Sequence, residues 1–192
     1  MKNLADPITQ NLTSVILCGG KGSRLNNQNK PLVEWKGKPL IEYVAESLPR
    51  CTEKLISANR DISQYEQYGS VVKDSITGFE SETPLVGILA ALDKMSNDWL
   101  ICAPGDTPRL EQGWVEQLLI AASNRSLIYV KDPLRGQPLH SLIHVSERTH
   151  LRSYLSQGRK SATNFLNLRK AEAVEFYSSD MFSNFNSAED FV

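Results

Sequence analysis

The feature that most constrains this chain is a short apolar segment that leads directly into a glycine-rich loop. Val15-Ile16-Leu17 is typical of a buried β-strand, and Gly19-Gly20-Lys21-Gly22 follows one residue later. Because glycine has no Cβ, the backbone N–H groups of such a loop can approach phosphate oxygens closely. Downstream, Arg24 can form two parallel hydrogen bonds to phosphate oxygens, whereas Lys30 provides a compact positive charge. The segment therefore predicts a nucleotide-binding loop at the end of a β-strand.

The spacing within this loop differs from that of two common phosphate-binding motifs. A P-loop requires Gly-x-x-x-x-Gly-Lys-Ser/Thr, and Gly158-Arg159-Lys160-Ser161 lacks the first glycine of that motif. A dinucleotide fingerprint would place glycine or alanine three residues after Gly22, where the chain has Leu25. The sequence thus disfavours a kinase-type P-loop and an NAD-binding loop. A plain surface turn is the alternative for a glycine cluster alone, and the two downstream cations argue against it.

Strand-like and helix-like segments alternate along the 192 residues. Predicted strands lie at 12–18, 54–58, 70–73, 99–103, 126–130, 139–145 and 173–176, and predicted helices at 39–48, 62–68, 84–95, 113–123, 147–157 and 161–168. This alternation predicts an α/β fold, a three-layer sandwich with a mainly parallel, Rossmann-like sheet. The length and the lack of linker-like tracts predict a single domain. Within it, we expect a nucleotide-binding half at about 12–110 and an acceptor-side half at about 111–192.

Polar residues follow four of the predicted strands. The glycine-rich loop follows the first strand, Asn59 the second, Asp74 the third, and Asp106 the strand at 99–103. Ligands of parallel α/β sheets bind beyond the carboxyl ends of the strands, so these residues are expected to face one crevice. Asp106 lies between two prolines that stiffen its turn, and a single carboxylate beside a triphosphate is a common way to hold Mg²⁺. The alternative for either aspartate is a purely structural turn.

The charge and the cysteine content limit the kinds of partner and the compartment expected for the chain. The formal net charge of −1 provides no basic field for nucleic acid, and no apolar stretch is long enough for a membrane helix. The first residues lack the apolar core of a secretory signal. The three cysteines, Cys18, Cys51 and Cys102, show no paired or metal-binding spacing, which suits a reducing compartment. We therefore expect a cytoplasmic protein without nucleic-acid or membrane partners.

A series of short motifs runs through nearly the whole chain. They are Leu17-x-Gly19-Gly20-x-x-x-Arg24, Lys30-Pro31-Leu32, Gly37-Lys38-Pro39-Leu40-Ile41, Ser57-Ala58-Asn59-Arg60, Asp74-Ser75, Thr83-Pro84-Leu85-Val86-Gly87-Ile88-Leu89, Pro104-Gly105-Asp106-Thr107-Pro108 and Asn184-Phe185-Asn186-Ser187-Ala188-Glu189-Asp190-Phe191. The first three resemble the opening of the sugar-nucleotidyltransferase-like superfamily. Taken in order, the motifs are most similar to the molybdenum cofactor guanylyltransferases, the MobA family. The resemblance implies a nucleotide-diphospho-sugar transferase type of fold.

The resemblance also implies a reaction, its substrates and its site residues. The reaction is Mg²⁺-dependent transfer of GMP from GTP to the terminal phosphate of molybdopterin, which releases pyrophosphate and forms molybdopterin guanine dinucleotide. The implied nucleotide-binding residues are Leu17, Cys18, Gly19, Gly20, Lys30, Asn59, Asp74 and Asp106; Arg24, Lys30 and Asp106 are catalytic, Asp106 is the metal ligand, and Gln137, Asn184 and Asn186 bind the acceptor. We expect a monomer that binds GTP and molybdopterin and makes transient contact with molybdenum-insertion proteins or apo-molybdoenzymes.

The glycine-rich loop departs from the family pattern, so the sequence does not decide which nucleotide base the chain binds. Leu25-Asn26 replaces the usual Met-Gly, and Asn29 replaces an aspartate before Lys30. A related enzyme that uses CTP or another phosphorylated acceptor therefore stays an alternative, as does a non-catalytic nucleotide-binding or cofactor-binding protein. The intact cations and aspartate favour catalysis. His140 invites a general-base role, but its place among leucines on a predicted strand favours simple packing.

Overall fold

A seven-stranded β-sheet with helices on both faces is the centre of the described structure. The computed structural model describes residues 11–19, 24–25, 28–51, 53–79 and 83–191. The strands are β1 (Leu12–Leu17), β2 (Arg24–Leu25), β3 (Gln28–Asn29), β4 (Glu34–Trp35), β5 (Lys38–Pro39), β6 (Glu53–Ser57), β7 (Ser70–Val72), β8 (Trp99–Pro104), β9 (Leu127–Lys131), β10 (Gly136–His144) and β11 (Glu172–Glu175). The α-helices are α1 (Leu40–Ser47), α2 (Ile62–Tyr65), α3 (Pro84–Lys94), α4 (Trp114–Ala121), α5 (Glu147–Ser156) and α6 (Ala162–Arg169).

The strand order across the large sheet is β11-β9-β10-β8-β1-β6-β7. β1 pairs in parallel with β6 and β8, β6 with β7, and β9 with β11. β10 pairs antiparallel with both β8 and β9, so it runs against the other described strands of this sheet. The predicted α/β fold with a mainly parallel sheet is confirmed. The carboxyl ends of β1, β6, β7 and β8 consequently meet at one edge of the sheet, which we call the carboxyl edge.

β1 is buried on both faces of the sheet, as its apolar run predicts. Leu12 and Ile16 belong to the hydrophobic cluster that includes residues of α1 and α4, whereas Val15 and Leu17 belong to the cluster on the α3 side. This division follows from the period of two in a β-strand. Two cores, one on each face, give the three-layer sandwich and hold the strand that precedes the glycine-rich loop.

α3 begins where the sequence predicts it, because Thr83 and Pro84 define its start. The Thr83 hydroxyl accepts a hydrogen bond from the Leu85 backbone N–H at 3.5 Å, and Pro84 lies in the first turn, where its missing N–H costs nothing. Gly87 allows the helix to approach the end of β6, since a Cβ at this position would lie 2.2 Å from Ser57 Oγ. The first turns of α3 therefore pack directly against the carboxyl edge.

Two short hairpins and the direction of β10 are features that the sequence did not predict. β2 pairs with β3 and β4 with β5, and these two-residue strands are too short to show a hydrophobic period. β10 begins at Gly136, before the predicted strand, and a bulge between Gln137 and Ser141 interrupts its pairing with β9. In the part of the chain that the structure describes, no helix is long and apolar enough to cross a membrane.

Candidate active site

The loops that leave β1 and β8 are tied together at the carboxyl edge. The Cys18 N–H donates to the carbonyl of Ser57, and the Gly105 N–H donates to the carbonyl of Leu17, both at 2.9 Å. A Cβ on Gly105 would lie 2.8 Å from Cys18 Sγ, so glycine is needed for this approach. The backbone at the start of the glycine-rich loop is therefore held against the turn that carries Asp106.

Lys30 and Asp106 form a charged pair at this edge. Lys30 lies in a short 3₁₀ helix, Lys30–Leu32, and is only 4% exposed. Its Nζ lies 3.3 Å from Asp106 Oδ2, and the side chain of Asp106 is 18% exposed. A buried ammonium group requires a partner, because leaving it unpaired in the interior is costly. The pair thus places one positive and one negative group beside each other at the carboxyl edge.

The C-terminal segment Asn184-Phe185-Asn186 closes around this pair. Asn184 Nδ2 donates to Asp106 Oδ1 at 2.7 Å, and Lys30 Nζ donates to Asn186 Oδ1 at 2.7 Å. The Phe185 N–H donates to the backbone carbonyl of Asp106 at 2.9 Å. Asn184 and Asn186, predicted as acceptor-binding residues, therefore also bind the two charged residues of the site.

Asn59 and Asp74 form a second polar group at the carboxyl edge. Asn59 Nδ2 donates to Asp74 Oδ2 at 2.9 Å, and the Asp74 N–H donates to Asn59 Oδ1 at 3.0 Å. Burial raises the pKa of Asp74, and the hydrogen bond from Asn59 offsets part of that effect. Asp74 Oδ1 is buried, and no described residue gives it a hydrogen bond. A buried oxygen of this kind requires a partner, and a bound ligand is one way to supply it.

The structure brings most of the predicted nucleotide-side residues together. Gly19 lies near Asn59, since a Cβ on Gly19 would be 3.8 Å from Asn59 Nδ2. Leu17 and Cys18 precede it in chain order and are buried. Gly20 lies outside the described residues, as does the side chain of Arg24. The roles of these two residues stay predictions from the sequence.

A cleft of about 470 Å³ lies beside the charged pair, since Asn184, which donates to Asp106, is one of its lining residues. Gln137, predicted to bind the acceptor, lines this cleft together with Asn184. The remaining lining residues come from the end of β8 and from β9, β10, α6 and their flanking segments: Pro104, Tyr129, Arg135, Gly136, Pro138, Leu139, His140, Thr163, Leu166 and Asn167. The cleft mixes apolar surface with amide and hydroxyl groups, as expected of a small-molecule site.

His140 is a buried packing residue in this structure. It is 1% exposed, its ring makes edge contacts with Trp114 and Phe182, and its Nε2 lies 3.3 Å from Thr107 Oγ1. Burial lowers the pKa of His140 to about 3, although the negative charge of Asp132 opposes this shift. The ring is therefore neutral near pH 7, which agrees with the packing role favoured by the sequence.

Asp132 is a residue that the sequence analysis missed. Its Oδ1 accepts the backbone N–H groups of Leu134 and Arg135 at 2.7 and 2.8 Å, and its Oδ2 accepts Gln137 Nε2 at 2.6 Å. Burial by itself raises the pKa of Asp132, but the hydrogen bonds from Gln137 and the two backbone groups outweigh burial and lower it. The Asp-Pro pair at the start of this turn is the signal that points to such a role.

The surroundings of Asp106 fit a Mg²⁺ ion. The described residues give each carboxylate oxygen one hydrogen-bond donor, so lone pairs are left for a metal. No group of three or more His, Cys, Asp or Glu side chains suited to a metal occurs among those residues. Mg²⁺ commonly takes one or two carboxylates together with waters and substrate phosphates. This donor set suits an ion shared with a polyphosphate better than one enclosed by protein alone.

A lysine and an aspartate lie together at strand ends of a mainly parallel sheet, where the ligands of α/β folds bind. Solved structures show the same fold. Molybdopterin-guanine dinucleotide biosynthesis protein A from Archaeoglobus fulgidus matches with a TM-score of 0.71 and 22% identity, over 93% of this chain and 94% of that one. 4-Diphosphocytidyl-2C-methyl-D-erythritol synthase from Anaerococcus prevotii matches with a TM-score of 0.69 and 13% identity, over 94% and 92%.

Sequence comparison defines the family more narrowly. The model of the MobA-like NTP transferase domain matches residues 14–173. Molybdenum cofactor guanylyltransferase from Yersinia pseudotuberculosis serotype O:1b is 38% identical over 183 residues, which cover 94% of this chain and 93% of the relative. The chain belongs to the MobA-like NTP transferase family, and the resemblance predicted from its motifs is confirmed.

Proposed function

We propose that this chain transfers GMP from GTP to the terminal phosphate of molybdopterin, releasing pyrophosphate and forming molybdopterin guanine dinucleotide. The observation that carries the proposal is the position of the Lys30–Asp106 pair. Along the sheet, Asp106 follows β8, between the Asn59–Asp74 group, which follows β6 and β7, and the cleft beside β9 and β10. The name of the 38% identical Yersinia relative supplies the identity of the acceptor. The two halves predicted at about 12–110 and 111–192 would then each bind one substrate.

Asp74 is the proposed contact for the guanine base. Guanine presents N–H donors at its N1 and 2-amino positions, and Asp74 Oδ1, which accepts no hydrogen bond from any described residue, is an acceptor suited to them. Asn59 holds the other carboxylate oxygen and so fixes the orientation of the group. The backbone of Leu17, Cys18, Gly19 and Gly20 is proposed to border the nucleotide. Cytosine lacks a matching pair of donors, which favours GTP over CTP.

Lys30 and Arg24 are the proposed phosphate-binding cations. The Lys30 ammonium is already held in place by Asp106 and Asn186, so little side-chain freedom is lost when a phosphate binds. Asp106 would hold Mg²⁺, which when bound neutralises phosphate charge and polarises the phosphorus–oxygen bonds. Arg24 would add a forked contact to phosphate oxygens.

The chemistry requires little proton transfer from the protein. The terminal phosphate of molybdopterin is an anion at neutral pH and can attack the α-phosphorus of GTP directly. The main task of the chain is then to align this phosphate with the departing pyrophosphate and to compensate the charge that moves onto it. Asn184, which contacts Asp106 and lines the cleft, links the two substrate sites. Gln137 and Asn186 would complete the acceptor side.

The test is pyrophosphate release by the purified chain with Mg²⁺, molybdopterin and GTP, CTP or ATP in turn. The expected result is pyrophosphate release with GTP but not with CTP or ATP, together with a product of the mass of molybdopterin guanine dinucleotide. Reactions without molybdopterin are the control for simple GTP hydrolysis. Release with CTP in place of GTP would overturn the proposed base, and no release with any of the three would overturn the proposed acceptor or the enzymatic role.

We further propose a monomer that works in the cytoplasm and hands its product to apo-molybdoenzymes through transient contacts. The three cysteines are free in the structure, which supports a reducing compartment. Size-exclusion chromatography with light scattering tests the monomer directly, and a mass twice that of the 21.5 kDa chain would contradict it.

A further inference from the structure

A hydrogen-bond network at the turn between β9 and β10 fixes the side chain of Gln137, which lines the acceptor cleft. Gln137 lines the cleft and is 7% exposed, so its amide has little freedom to rotate into solvent. Its Nε2 donates to Asp132 Oδ2 at 2.6 Å. Asp132 is itself 3% exposed and is fixed by two backbone N–H groups.

We infer that Asp132 is a positioning residue, which fixes the Gln137 amide so that its carbonyl oxygen, and not its NH₂ group, is offered to the acceptor. The inference rests on the proposed function and extends it to the chemistry of acceptor recognition. An ionised carboxylate only accepts hydrogen bonds, so the group of Gln137 that faces Asp132 must be the NH₂. The carbonyl oxygen Oε1 is the polar atom left for a ligand. The cleft therefore selects an acceptor that places an N–H or O–H donor at this position, as the ring N–H groups of a pterin do.

The geometry makes Asp132→Asn a sharp test, because its effect on the amide follows from the turn. The backbone N–H groups of Leu134 and Arg135 both point at Oδ1, so they will hold the single oxygen of the new asparagine there. The asparagine NH₂ must then occupy the position of Oδ2 and face Gln137. Gln137 has to rotate its amide by half a turn to accept that hydrogen bond, and it now presents NH₂ to the cleft.

The expected kinetic result is specific to the acceptor. D132N should raise KM for molybdopterin roughly 10- to 100-fold, because the Gln137 NH₂ would then face the donor of the acceptor molecule where the Gln137 carbonyl oxygen had accepted its hydrogen bond. KM for GTP should be unchanged. The double variant D132N/Q137E should recover acceptor affinity, since one glutamate oxygen accepts from the asparagine and the other faces the cleft. Q137E alone places two carboxylates together and should not improve binding. The control is D93N, the same change at a paired aspartate on α3.

A purely structural role for Asp132 gives a different pattern. Loss of the turn would lower the melting temperature and affect both substrates, and Q137E could not repair it. An unchanged KM for molybdopterin in D132N, or a raised KM that the double variant does not restore, would overturn the inference.

The amide itself provides a readout that needs no turnover. In ¹H–¹⁵N spectra the Gln137 side-chain NH₂ signals, assigned by their loss in Q137E, should show one proton shifted by its bond to the carboxylate. D132N should abolish that shift, and persistence of the shift would refute the positioning role. A wild-type chain without transferase activity would refute the proposed function while this measurement still decides the orientation of the amide.

Discussion

Asp106→Asn should remove most of the turnover and leave the fold intact. The substitution keeps the shape of the side chain and removes the negative charge proposed to hold Mg²⁺ against the triphosphate. Loss of one preorganised electrostatic contact commonly costs 10²–10³-fold in kcat, or about 2.7–4 kcal/mol. We expect a decrease of that order in the rate of pyrophosphate release at saturating GTP and molybdopterin, whatever the Mg²⁺ concentration.

The structure also predicts how much stability this variant loses. Lys30 and Asn184 each donate to a different oxygen of Asp106, and an asparagine has only one oxygen to offer. One donor therefore loses its acceptor, which costs about 1–3 kcal/mol. Lys30 keeps its hydrogen bond to Asn186 at 2.7 Å, but its buried ammonium loses the negative charge of its partner, so the upper half of that range is expected. A fall in melting temperature of about 4–12 °C would correspond to it for a chain of this length.

Asp93→Asn is the matched control. The side chain of Asp93 is 21% exposed, close to the 18% of Asp106, and it pairs with Arg152. Its loss should lower the melting temperature by less, since its partner Arg152 is 44% exposed, and should leave kcat unchanged. Circular dichroism melting curves and coupled pyrophosphate assays on both variants separate stability from catalysis. A D106N enzyme with near-normal, Mg²⁺-dependent turnover would refute the assigned role of Asp106, and an equal loss of kcat in D93N would refute the reasoning from position.

Three further substitutions test other parts of the site and core. Asp74→Asn should raise KM for GTP roughly 10- to 100-fold. Burial raises the pKa of Asp74, so as the pH falls this carboxylate should become protonated at a higher pH than an ordinary aspartate. KM of the wild-type enzyme for GTP should increase over that pH range, and KM of D74N should not. Glu147→Gln should cost about 1.5–3 kcal/mol in urea unfolding, since Glu147 is 2% exposed and binds Arg169 and Ser126. Hydrogen bonds from Arg169 and Ser126 outweigh burial and lower the pKa of Glu147, so this difference should persist at neutral pH and vanish as pH falls through that lowered pKa. His140→Gln should reduce kcat by less than the 10²–10⁴-fold expected for a general base, and a larger loss in saturating assays would contradict the packing role.

The grouping of polar residues at the carboxyl edge followed directly from the sequence. Apolar runs marked the strands, and polar residues at their ends could be placed together because parallel strands share one carboxyl edge. The direction of β10 could not be predicted in this way, since an apolar run shows burial and not orientation. Its antiparallel course brings Gly136 and Gln137 to the same end of the sheet as the carboxyl end of β8. That placement puts Gln137 beside the site.

The contacts of the C-terminal asparagines were beyond sequence reasoning for a different reason. Asn186 meets a lysine 156 positions earlier in the chain, and Asn184 meets an aspartate 78 positions earlier. No local period or propensity encodes a pairing at such separations. The family motif placed both asparagines near the substrates but assigned them to the acceptor, whereas the structure adds direct contacts with Lys30 and Asp106.

The Asn-Phe-Asn pattern of this segment has a physical explanation. Both asparagines reach the charged pair, whereas Phe185 between them packs into the apolar interior. Phe185 is fully buried, and its ring packs 5.0 Å from Trp35 and 5.1 Å from Phe191. The buried ring of Phe185 therefore fixes the position of the segment against the rest of the protein. As a consequence, the side-chain amides of Asn184 and Asn186 reach Asp106 and Lys30. Lys30 and Asp106, the proposed catalytic groups, are in this way held by residues near the C-terminal end of the described chain, which makes their geometry dependent on complete folding.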